Sequence, residues 1–507
     1  MRACSGREGK RMKTAYIGGT ILDGTRDMEP QKGKTVIVEN GRIAAILPAG
    51  DLLPSGCEII NLQGCYLMPG LINLHVHLNS GGKPSGRKKT QEDYVRLVKL
   101  ATSNRVTGEV TRAMIRGYAK TELMSGVTTI RTVGGIADYD GMIRNEIEEG
   151  CLVRERAWKA GGSGSAVVKN SPLRAVRTGM SRIPVGTAAP EGIGAAFLKG
   201  NAGTALPGPR ILAGNTGISV PGGHVAGSLA YPASTPEEAV QYVRKIAAGR
   251  PDLIKLMVTG GVMDAVYEGE PGVLMPQDII EAACREAHAL GFTVSAHAES
   301  TEGVLASLRG GVDTIEHGAM PTDEMMELFR AKGAALVTTI SPVLPLALLD
   351  EEKTHVRPMD RYNAGIVLRG IIECARKALA EGIPVGLGTD TGCPYVTHYD
   401  MWRELQYFHN FCGVTEAFAL HTATLGNAEI AGISGETGSI EIGKAADLLV
   451  TAGNPLEGLN ALRKPRMVVA RGVRIEKPAL KKDVEIEHEL DSLRKITYEE
   501  LEGRLDG

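Results

Sequence analysis

The sequence has few aromatic residues, no paired cysteine motif and no long apolar run. Only six of its 507 residues are phenylalanine and two are tryptophan, and its eight cysteines form no CxxC pair or zinc-finger spacing. Scattered cysteines in a long chain predict reduced thiols and a cytoplasmic protein rather than a disulfide framework. Because no apolar run reaches about 18 residues, we expect no membrane-spanning helix.

An excess of charge of one sign is also missing. The chain has 57 basic and 59 acidic residues, mixed along its length, for a formal net charge of −2. Neither nucleic acid nor an anionic membrane is therefore expected as a partner. The first eleven residues, MRACSGREGKR, are charged and lack a following apolar stretch, so we expect no secretory signal, and Met12 is an alternative start.

Glycine and aliphatic residues are abundant instead, with 64 glycines and 43% hydrophobic residues. The middle of the chain alternates apolar strands with amphipathic helices, as parallel βαβ units do. Eight strands are predicted, at 71–78, 127–133, 210–217, 253–260, 292–298, 312–318, 335–341 and 383–390. The pattern predicts an α/β fold with a (β/α)8 barrel over residues 69–435, an architecture that uses about 250 residues or more as one domain.

The two ends of the chain are rich in β signals. Short β runs with turns cover residues 13–68, among them an ENG hairpin signal at 39–41, and similar runs return over 436–480. We expect these two segments to form one composite β-sandwich domain. Residues 155–206 interrupt the alternation of strands and helices, so we expect an irregular insertion there. The alternative is that this segment forms a docking or oligomerisation surface. The charged residues 481–507 predict a solvent-facing helix or a frayed end.

His75 and His77, in LINLHVHL, are the strongest chemical signal. Side chains two residues apart in a strand share a face, so both imidazoles point the same way at the strand's C-terminal end. Two such histidines at a barrel mouth form a ready chelate for zinc and similar metals. A hydrogen-bonded structural pair is the alternative.

Three further residues lie at the ends of predicted strands: His297, His317 and Asp390 end the fifth, sixth and eighth. Taken singly, each histidine is more often a core residue, and Asp390 before Thr-Gly could cap a helix. Active sites of (β/α)8 barrels lie at the C-terminal ends of the strands. The convergence of the histidines and Asp390 at those ends therefore predicts a metal site.

Lys255 lies in the fourth predicted strand, LIKLMVTG. An ammonium group beside metal cations would be repelled, but a desolvated lysine loses its proton readily. The free amine can combine with carbon dioxide to give an anionic carbamate, whose two oxygens can bridge two metals. A lysine that pairs with an acid elsewhere is the alternative.

The motifs MPGLINLHVHL, SAHA, TIEHG, GLGTD and GSIEIGKAADLLVTAGNPL resemble the amidohydrolase superfamily, and the resemblance covers residues 13–154 and 207–475. The segments GVTTIR, GPRILAGNTG, GGH, IKLMVTGGV and HTATLGNAEIAG are most similar to the imidazolonepropionase-like branch, which includes metal-dependent Xaa-Pro dipeptidases. One departure is visible, because RTVGG places Thr132 where relatives usually carry an acid. That position is not a metal ligand, so the expected ligand set is unchanged, while the hydrogen bonding around it would differ from that of the relatives.

The resemblance implies a centre of two divalent metal ions. Zinc is the best match to such a donor set, although manganese or iron would also suit it. The residues that match the family's ligands are His75, His77 and Asp390 for the first metal, His297 and His317 for the second, and carboxylated Lys255 as the bridge.

The same resemblance implies hydrolysis of an amide or peptide bond in a small substrate, such as an Xaa-Pro dipeptide or an N-acyl amino acid, by a hydroxide shared between the metals. Asp390 would take the proton from the attacking water and pass it to the leaving amine. His224 in PGGH and Tyr267 in VMDAVYEG match substrate contacts, and either would help to stabilise the developing oxyanion.

Two other functions stay open at this point. A mononuclear hydrolase of cyclic carbon–nitrogen bonds, of the imidazolonepropionase or deaminase type, would have no bridging role for Lys255. A non-catalytic scaffold on the same fold is disfavoured by the intact ligand set. We expect a small-molecule substrate and a homo-oligomer. His398 and Tyr399, soon after Asp390, are candidate specificity contacts, although no role for them in the site is the preferred interpretation.

Overall fold

A computed structural model describes residues 13–85, 90–159, 208–264 and 266–506 of the chain. The chain divides into two units. The larger unit, residues 12–146 and 208–507, contains every strand of the described part. The smaller unit comprises residues 1–11 and 147–207, and within the described part it contains the second half of the helix Tyr139–Lys159. Apart from the end of that helix, the predicted insertion at 155–206 lies outside the described residues.

The N-terminal segment begins with an outer sheet of four strands in the order β4-β3-β1-β5. The first six strands are β1 (Lys13–Ile17), β2 (Thr20–Ile21), β3 (Lys34–Glu39), β4 (Arg42–Pro48), β5 (Cys57–Asn61) and β6 (Tyr66–Pro69). Strands β3 and β4 are antiparallel, and Asn40 and Gly41 connect them with φ angles of 53° and 77°. Two consecutive residues of positive φ are what a tight type I′ hairpin requires, so the hairpin predicted at ENG is confirmed.

Parallel strands make up the middle of the chain, and each of the eight predicted segments contains one. These strands are β7 (Leu71–Val76), β8 (Val127–Thr132), β9 (Arg210–Ala213), β10 (Gly217–Ser219), β11 (Ala230–Pro232), β12 (Leu253–Met257), β13 (Thr293–Ala298), β14 (Thr314–His317), β15 (Ala335–Thr338) and β16 (Val385–Leu387). They form a seven-stranded sheet, β11-β10-β12-β13-β14-β15-β16, and a three-stranded sheet, β7-β8-β9.

The third predicted strand is broken in two. Asn215, with a φ of 55°, separates β9 from β10, and the pairing partner changes there from β8 to β12. At the far side of the seven-stranded sheet, the residues that follow β16 bond to the first parallel strand. The Asp390 N–H donates to the His75 carbonyl at 2.8 Å, and the His77 N–H donates to the Thr391 carbonyl at 3.0 Å. These bonds place Asp390 beside both histidines of β7.

A fourth sheet takes strands from both ends of the chain. Strands β17 (Leu448–Thr451), β18 (Met467–Ala470) and β19 (Val473–Glu476) join two N-terminal strands in the order β19-β18-β17-β6-β2. Strand β17 is antiparallel to β6, with Leu449 opposite Met68. One apolar cluster contains residues of both outer sheets, among them Val36, Leu67 and Leu448. The two ends of the chain therefore share a core.

Helices follow most of the parallel strands. They are Gln91–Thr102, Arg105–Met124, Tyr139–Lys159, Pro236–Ala248, Gln277–Ala289, Thr301–Gly310, Asp323–Lys332, Leu344–Leu348, Glu351–Thr354, Pro358–Ala380, Met401–Cys412, Glu416–His421, Asn427–Ile430, Val484–Leu493 and Tyr498–Leu505, with a π turn at Thr422–Gly426 and 3₁₀ turns at Val262–Asp264 and Leu459–Arg463. The Thr235 hydroxyl caps one of them by accepting from the Glu238 N–H at 3.2 Å. Over the described ranges, none of these helices combines the length and the apolar character needed to cross a membrane.

The expectation of a solvent-facing tail was wrong. The helix Val484–Leu493 buries Ile486, Leu490 and Leu493 in a cluster with residues of Pro358–Ala380 and Met401–Cys412. Those three residues recur at i, i+4 and i+7, which is one face of a helix. Charged residues on the other faces conceal this pattern in the composition of the segment.

The packed tail leads to a stability prediction. Leu490 is 3% exposed, and Val484, on the same helix, is 79% exposed. We expect Leu490→Ala to lower the free energy of unfolding by about 2–5 kcal/mol, because it leaves a cavity in the cluster. The control Val484→Ala should change it by about 0.5 kcal/mol or less. Urea denaturation measures both, and equal stabilities would contradict the packed position of the tail.

Candidate metal centre

Three candidate ligands, from the first and the last of the parallel strands, lie together in one group. His75 lies within β7, His77 directly follows it, and Asp390 follows β16. The Asp390 Oδ1 atom lies 3.1 Å from the His77 Nε2 atom and 3.4 Å from the His75 Nε2 atom. The three side chains thus present two imidazole nitrogens and a carboxylate to a common point, as a metal site requires.

A second group lies against the first. The ligand atoms of His297, Glu299 and His317 all lie within 4.8 Å of one another. The ring of His317 is 4.6 Å from that of His297 and 4.8 Å from that of His75, measured between centroids. The two groups therefore form one continuous cluster, and the structure brings together all the histidines and the aspartate predicted as ligands.

Glu316 fixes the orientation of His75. It is fully buried, and its Oε1 atom accepts hydrogen bonds from Arg131 (2.6 Å), Ser295 (2.9 Å) and Thr314 (2.9 Å). Its Oε2 atom lies 2.8 Å from the His75 Nδ1 atom. Burial acts to raise the pKa of Glu316, but the charge of Arg131 and the bond to His75 hold that pKa well below its ordinary value. The ionised carboxylate accepts the Nδ1 proton and leaves the His75 Nε2 lone pair directed at Asp390.

The other three imidazoles are also fixed by one hydrogen bond each, which leaves the second ring nitrogen free for a ligand. The bonds are His77 Nδ1 to the Gly134 carbonyl (2.8 Å), His317 Nδ1 with the Thr339 hydroxyl (2.7 Å) and His297 Nε2 to the Gly260 carbonyl (3.1 Å). The free nitrogen is Nε2 in three of the four histidines and Nδ1 in His297.

Two of the candidate ligands have a left-handed backbone, which is uncommon for residues other than glycine. The φ angle is 73° at His317 and 57° at Asp390. In a regular strand, Glu316 and His317 would point to opposite faces. The positive φ of His317 ends that alternation, and both side chains reach His75. Strained backbone of this kind is typical of functional sites.

Lys255 on β12 is an amine without a partner. Its side chain is 1% exposed, and its Nζ atom has no hydrogen-bond partner among the described residues. Burial lowers the pKa of Lys255 to about 8, opposed by the charge of Glu316. An uncharged amine is the form that combines with carbon dioxide, so this buried nitrogen fits a carbamate better than it fits an ion pair. With four imidazoles and Asp390 beside it, the donor set fits divalent transition metals.

The ionisation of the cluster also suits metal binding. Burial holds the pKa values of His297 and His317 well below the ordinary value, so both rings are neutral, which is the ligating form. Burial acts to raise the pKa of Asp390, but the charges of His75 and His77 and their hydrogen bonds hold it well below its ordinary value. The aspartate is therefore a carboxylate.

His224 lies against the cluster, whereas Tyr267 does not. The ring of His224 stacks on that of His297, with centroids 4.4 Å apart, and its Nδ1 atom lies 2.5 Å from the Asp264 Oδ2 atom. Burial acts to lower the pKa of His224, but the Asp264 carboxylate raises it above its ordinary value. Tyr267 is 53% exposed, and no contact within the described ranges joins its side chain to the histidines.

His398 and Tyr399 are not specificity contacts. Both are buried, and both ring nitrogens of His398 are bonded, one to Glu122 at 3.0 Å and the other to the Ser80 carbonyl at 2.8 Å. The Tyr399 hydroxyl accepts from the Asp483 N–H at 2.9 Å. Their polar atoms hold the loop after β16 against neighbouring segments, so neither has a group left for a substrate.

The acid missing at position 132 has a counterpart nearby. Thr132 is buried, and its hydroxyl accepts from the Gly214 N–H at 3.2 Å. The buried Asp140 also bonds to Thr132 and lies close enough to His77 for their charges to interact. Burial raises the pKa of Asp140 to about 6. A carboxylate is thus present beside His77 although Thr132 itself is neutral.

Sequence reasoning missed three acids of this site: Glu299, Glu316 and Asp264. Two of them had a signal, because Glu316 directly precedes His317 and Glu299 follows His297 by two residues. Asp264 lies in a 3₁₀ turn, and only the fold brings it to His224.

The comparisons with known proteins agree with this site. A model of the amidohydrolase family matches residues 66–475, a range that contains all six candidate ligands. A Bifidobacterium longum protein of known structure, provisionally named a prolidase, is 33% identical with a TM-score of 0.74, over 95% of this chain and 98% of that one. The structure of a Xaa-Pro dipeptidase with methionine bound in its active site is 25% identical with a TM-score of 0.71, over 92% and 100% of the two chains. The ochratoxinase of Aspergillus niger is 25% identical over 463 residues, 90% of this chain and 84% of the relative.

The partnerless amine leads to a metal-content prediction. We expect the purified chain, reconstituted with zinc and bicarbonate, to bind about two ions, and Lys255→Ala to bind fewer, because the bridging oxygens are lost. Lys120→Ala, which replaces an exposed lysine, is the matched control and should bind as the wild type does. Elemental mass spectrometry measures the ratio. A Lys255→Ala protein that retains both ions would rule out the bridging role.

Proposed function

Since this chain belongs to the amidohydrolase family and is a hydrolase of carbon–nitrogen bonds, we propose that it cleaves the amide or peptide bond of a small substrate at a dinuclear metal centre. The observation that carries the proposal is the convergence of four imidazoles and one carboxylate at the C-terminal ends of the parallel strands, with the amine of Lys255 buried on β12 and in electrostatic contact with them. The proposed donors are therefore six. They are His75, His77, Lys255, His297, His317 and Asp390.

Lys255 favours a dinuclear centre over a mononuclear one. Its charge interacts with those of His297, His317 and Asp390, so it lies close to both groups of donors. Carboxylated Lys255 would supply one oxygen donor to the ion held by each group of residues. This role would explain why an amine whose burial costs free energy is present in the core. Zinc is the ion we expect first, because the set is rich in imidazole.

The residues of the chain have separate tasks in the proposed reaction. Divalent cations in such a site supply Lewis acidity, which makes water more acidic and a carbonyl carbon more electrophilic. Asp390, ionised and with its Oδ1 atom 3.4 Å from the His75 Nε2 atom and 3.1 Å from the His77 Nε2 atom, is placed to accept a proton from the attacking water and to deliver it to the departing amine. His224, whose pKa is raised by the Asp264 carboxylate, would in its imidazolium form donate to the carbonyl oxygen as negative charge develops there.

Tyr267 stays a prediction as a second substrate contact. Its backbone carbonyl is held by the Asn363 side chain at 2.9 Å, while the phenol is half exposed. Only a substrate that extends away from the histidines would contact the Tyr267 phenol.

The architecture supports one further structural proposal. We expect the eight predicted strands to close into a (β/α)8 barrel over residues 69–435, because hydrogen bonds already link the end of β16 to β7. The two outer sheets, from residues 13–68 and 436–480, would form the composite β-sandwich. Cytoplasmic location and homo-oligomerisation also remain predictions.

The names of the relatives suggest where to begin with substrates. Two similar structures are named as prolidases or Xaa-Pro dipeptidases, so dipeptides with a C-terminal proline come first. A screen of the zinc-loaded enzyme should compare Xaa-Pro dipeptides with N-acyl amino acids and cyclic amides, with amine release as the readout. Turnover of cyclic amides alone would contradict the proposal and favour the mononuclear alternative.

Asp390→Asn tests the proton transfer. We expect the fold and much of the bound metal to remain, while kcat falls by ~10²–10⁴-fold, which is the usual contribution of general acid–base catalysis. Asp51→Asn replaces an exposed aspartate of the N-terminal segment and is the control for purification and folding. Steady-state kinetics at matched metal content measure the effect. A decrease smaller than about tenfold would remove Asp390 from this role.

A further inference from the structure

Glu299 is a buried acid at the metal centre that no step above uses. Its side chain is 7% exposed, and its carboxylate shares a cluster with the imidazoles of His297 and His317. Its Oε2 atom accepts a hydrogen bond from the Val262 N–H at 3.1 Å. No donor in the described part of the chain reaches Oε1, so this oxygen is left for a ligand.

The charge of Glu299 interacts with that of His224, which is already paired with Asp264. No lysine or arginine of the described residues forms an ion pair with Glu299. A buried carboxylate with one hydrogen bond and no ion pair is costly. It gains most from a cationic group that arrives with a ligand.

The covalent geometry of a dipeptide places such a group nearby. The amino nitrogen of the first residue is two bonds from the carbon of the scissile carbonyl and lies roughly 3 Å from the carbonyl oxygen. The Glu299 carboxylate lies within 4.8 Å of the ligating nitrogens of His297 and His317. A substrate whose carbonyl oxygen lies beside His297 and His224 would therefore have its amino group within reach of Glu299. An N-acylated substrate has no positive charge at this position.

We propose that Glu299 binds the free ammonium group of the substrate's N-terminal residue and makes the enzyme select dipeptides over N-acylated amino acids. This inference rests on the proposed function, since it assigns one end of the substrate to the same site. Glu299 would act as a specificity residue, with Val262 holding one carboxylate oxygen and the ammonium group bonded to the other.

The first test compares Leu-Pro with N-acetyl-Leu-Pro, which share the scissile bond and differ in the charge of the amino group. Wild-type kcat/KM should be higher for Leu-Pro by about 100-fold or more, and Glu299→Gln should lower it for Leu-Pro by about 10- to 100-fold, mainly through KM. For N-acetyl-Leu-Pro the same variant should change kcat/KM by about threefold or less. Glu302→Gln, an exposed glutamate three residues along, should leave both substrates unaffected.

A binding measurement removes the dependence on turnover. L-leucine and 4-methylpentanoate differ only in the amino group, and calorimetry with zinc-loaded wild type should give about tenfold or more tighter binding of L-leucine. Glu299→Gln should abolish that difference at unchanged metal content.

Several results would overturn the assignment. Equal losses of kcat/KM on both substrates would show that Glu299 is a structural residue. A loss of metal from Glu299→Gln would show that it is a metal ligand. Equal binding of L-leucine and 4-methylpentanoate to the wild type would exclude an ammonium site, even if the variant failed to fold. If the wild type cleaves neither peptide but still prefers L-leucine, the proposed function fails while the ammonium site stands.

Discussion

The buried charge of Glu316 is the interaction on which the metal centre depends. One carboxylate contacts Arg131 on β8, Ser295 on β13, Thr314 on its own strand and His75 on β7. Arg131 also donates to the Leu74 carbonyl at 2.7 Å. The network thus links four strands, β7 and β8 of one sheet with β13 and β14 of the other. Because removing one partner of a buried ion pair leaves an uncompensated charge, the strands and the ligands they carry are held in register together.

The strand ends show how far the sequence could predict the site. Side chains two residues apart in a strand share a face, and barrel sites lie at the C-terminal ends of strands. These two rules were enough to predict that His75 and His77 lie together with Asp390. Neither rule says which atom of a ring faces the centre, because that depends on a hydrogen bond to a residue distant in sequence. Gly260, which bonds to Nε2 of His297 and leaves Nδ1 free, has no signal in the sequence that identifies it as a partner.

Long-range contacts also explain what position in the sequence alone could not decide. His398 follows Asp390 closely in sequence, but Glu122, more than 270 residues earlier, occupies its ring nitrogen. The tail looked solvent-facing because its composition is charged, although the spacing of Ile486, Leu490 and Leu493 carried the correct signal. Asn215 breaks a strand that the apolar pattern predicted as continuous, because a single left-handed residue changes the direction of the chain without changing its hydrophobicity.

The sheet built from both ends of the chain has a consequence for how the protein is made on the ribosome. Strand β6 pairs with β17, about 380 residues later, and at a translation rate of roughly 5–20 residues per second it waits on the order of a minute for its partner. Strand β7, with two of the histidines, follows β6 directly and receives its bonds from Thr391 and Asp390 only slightly earlier. During that interval β6 pairs with β2 on one side only, and its other edge is open. The nascent chain is therefore exposed to wrong pairing throughout that interval, and its metal site can be completed only after Asp390 has been made.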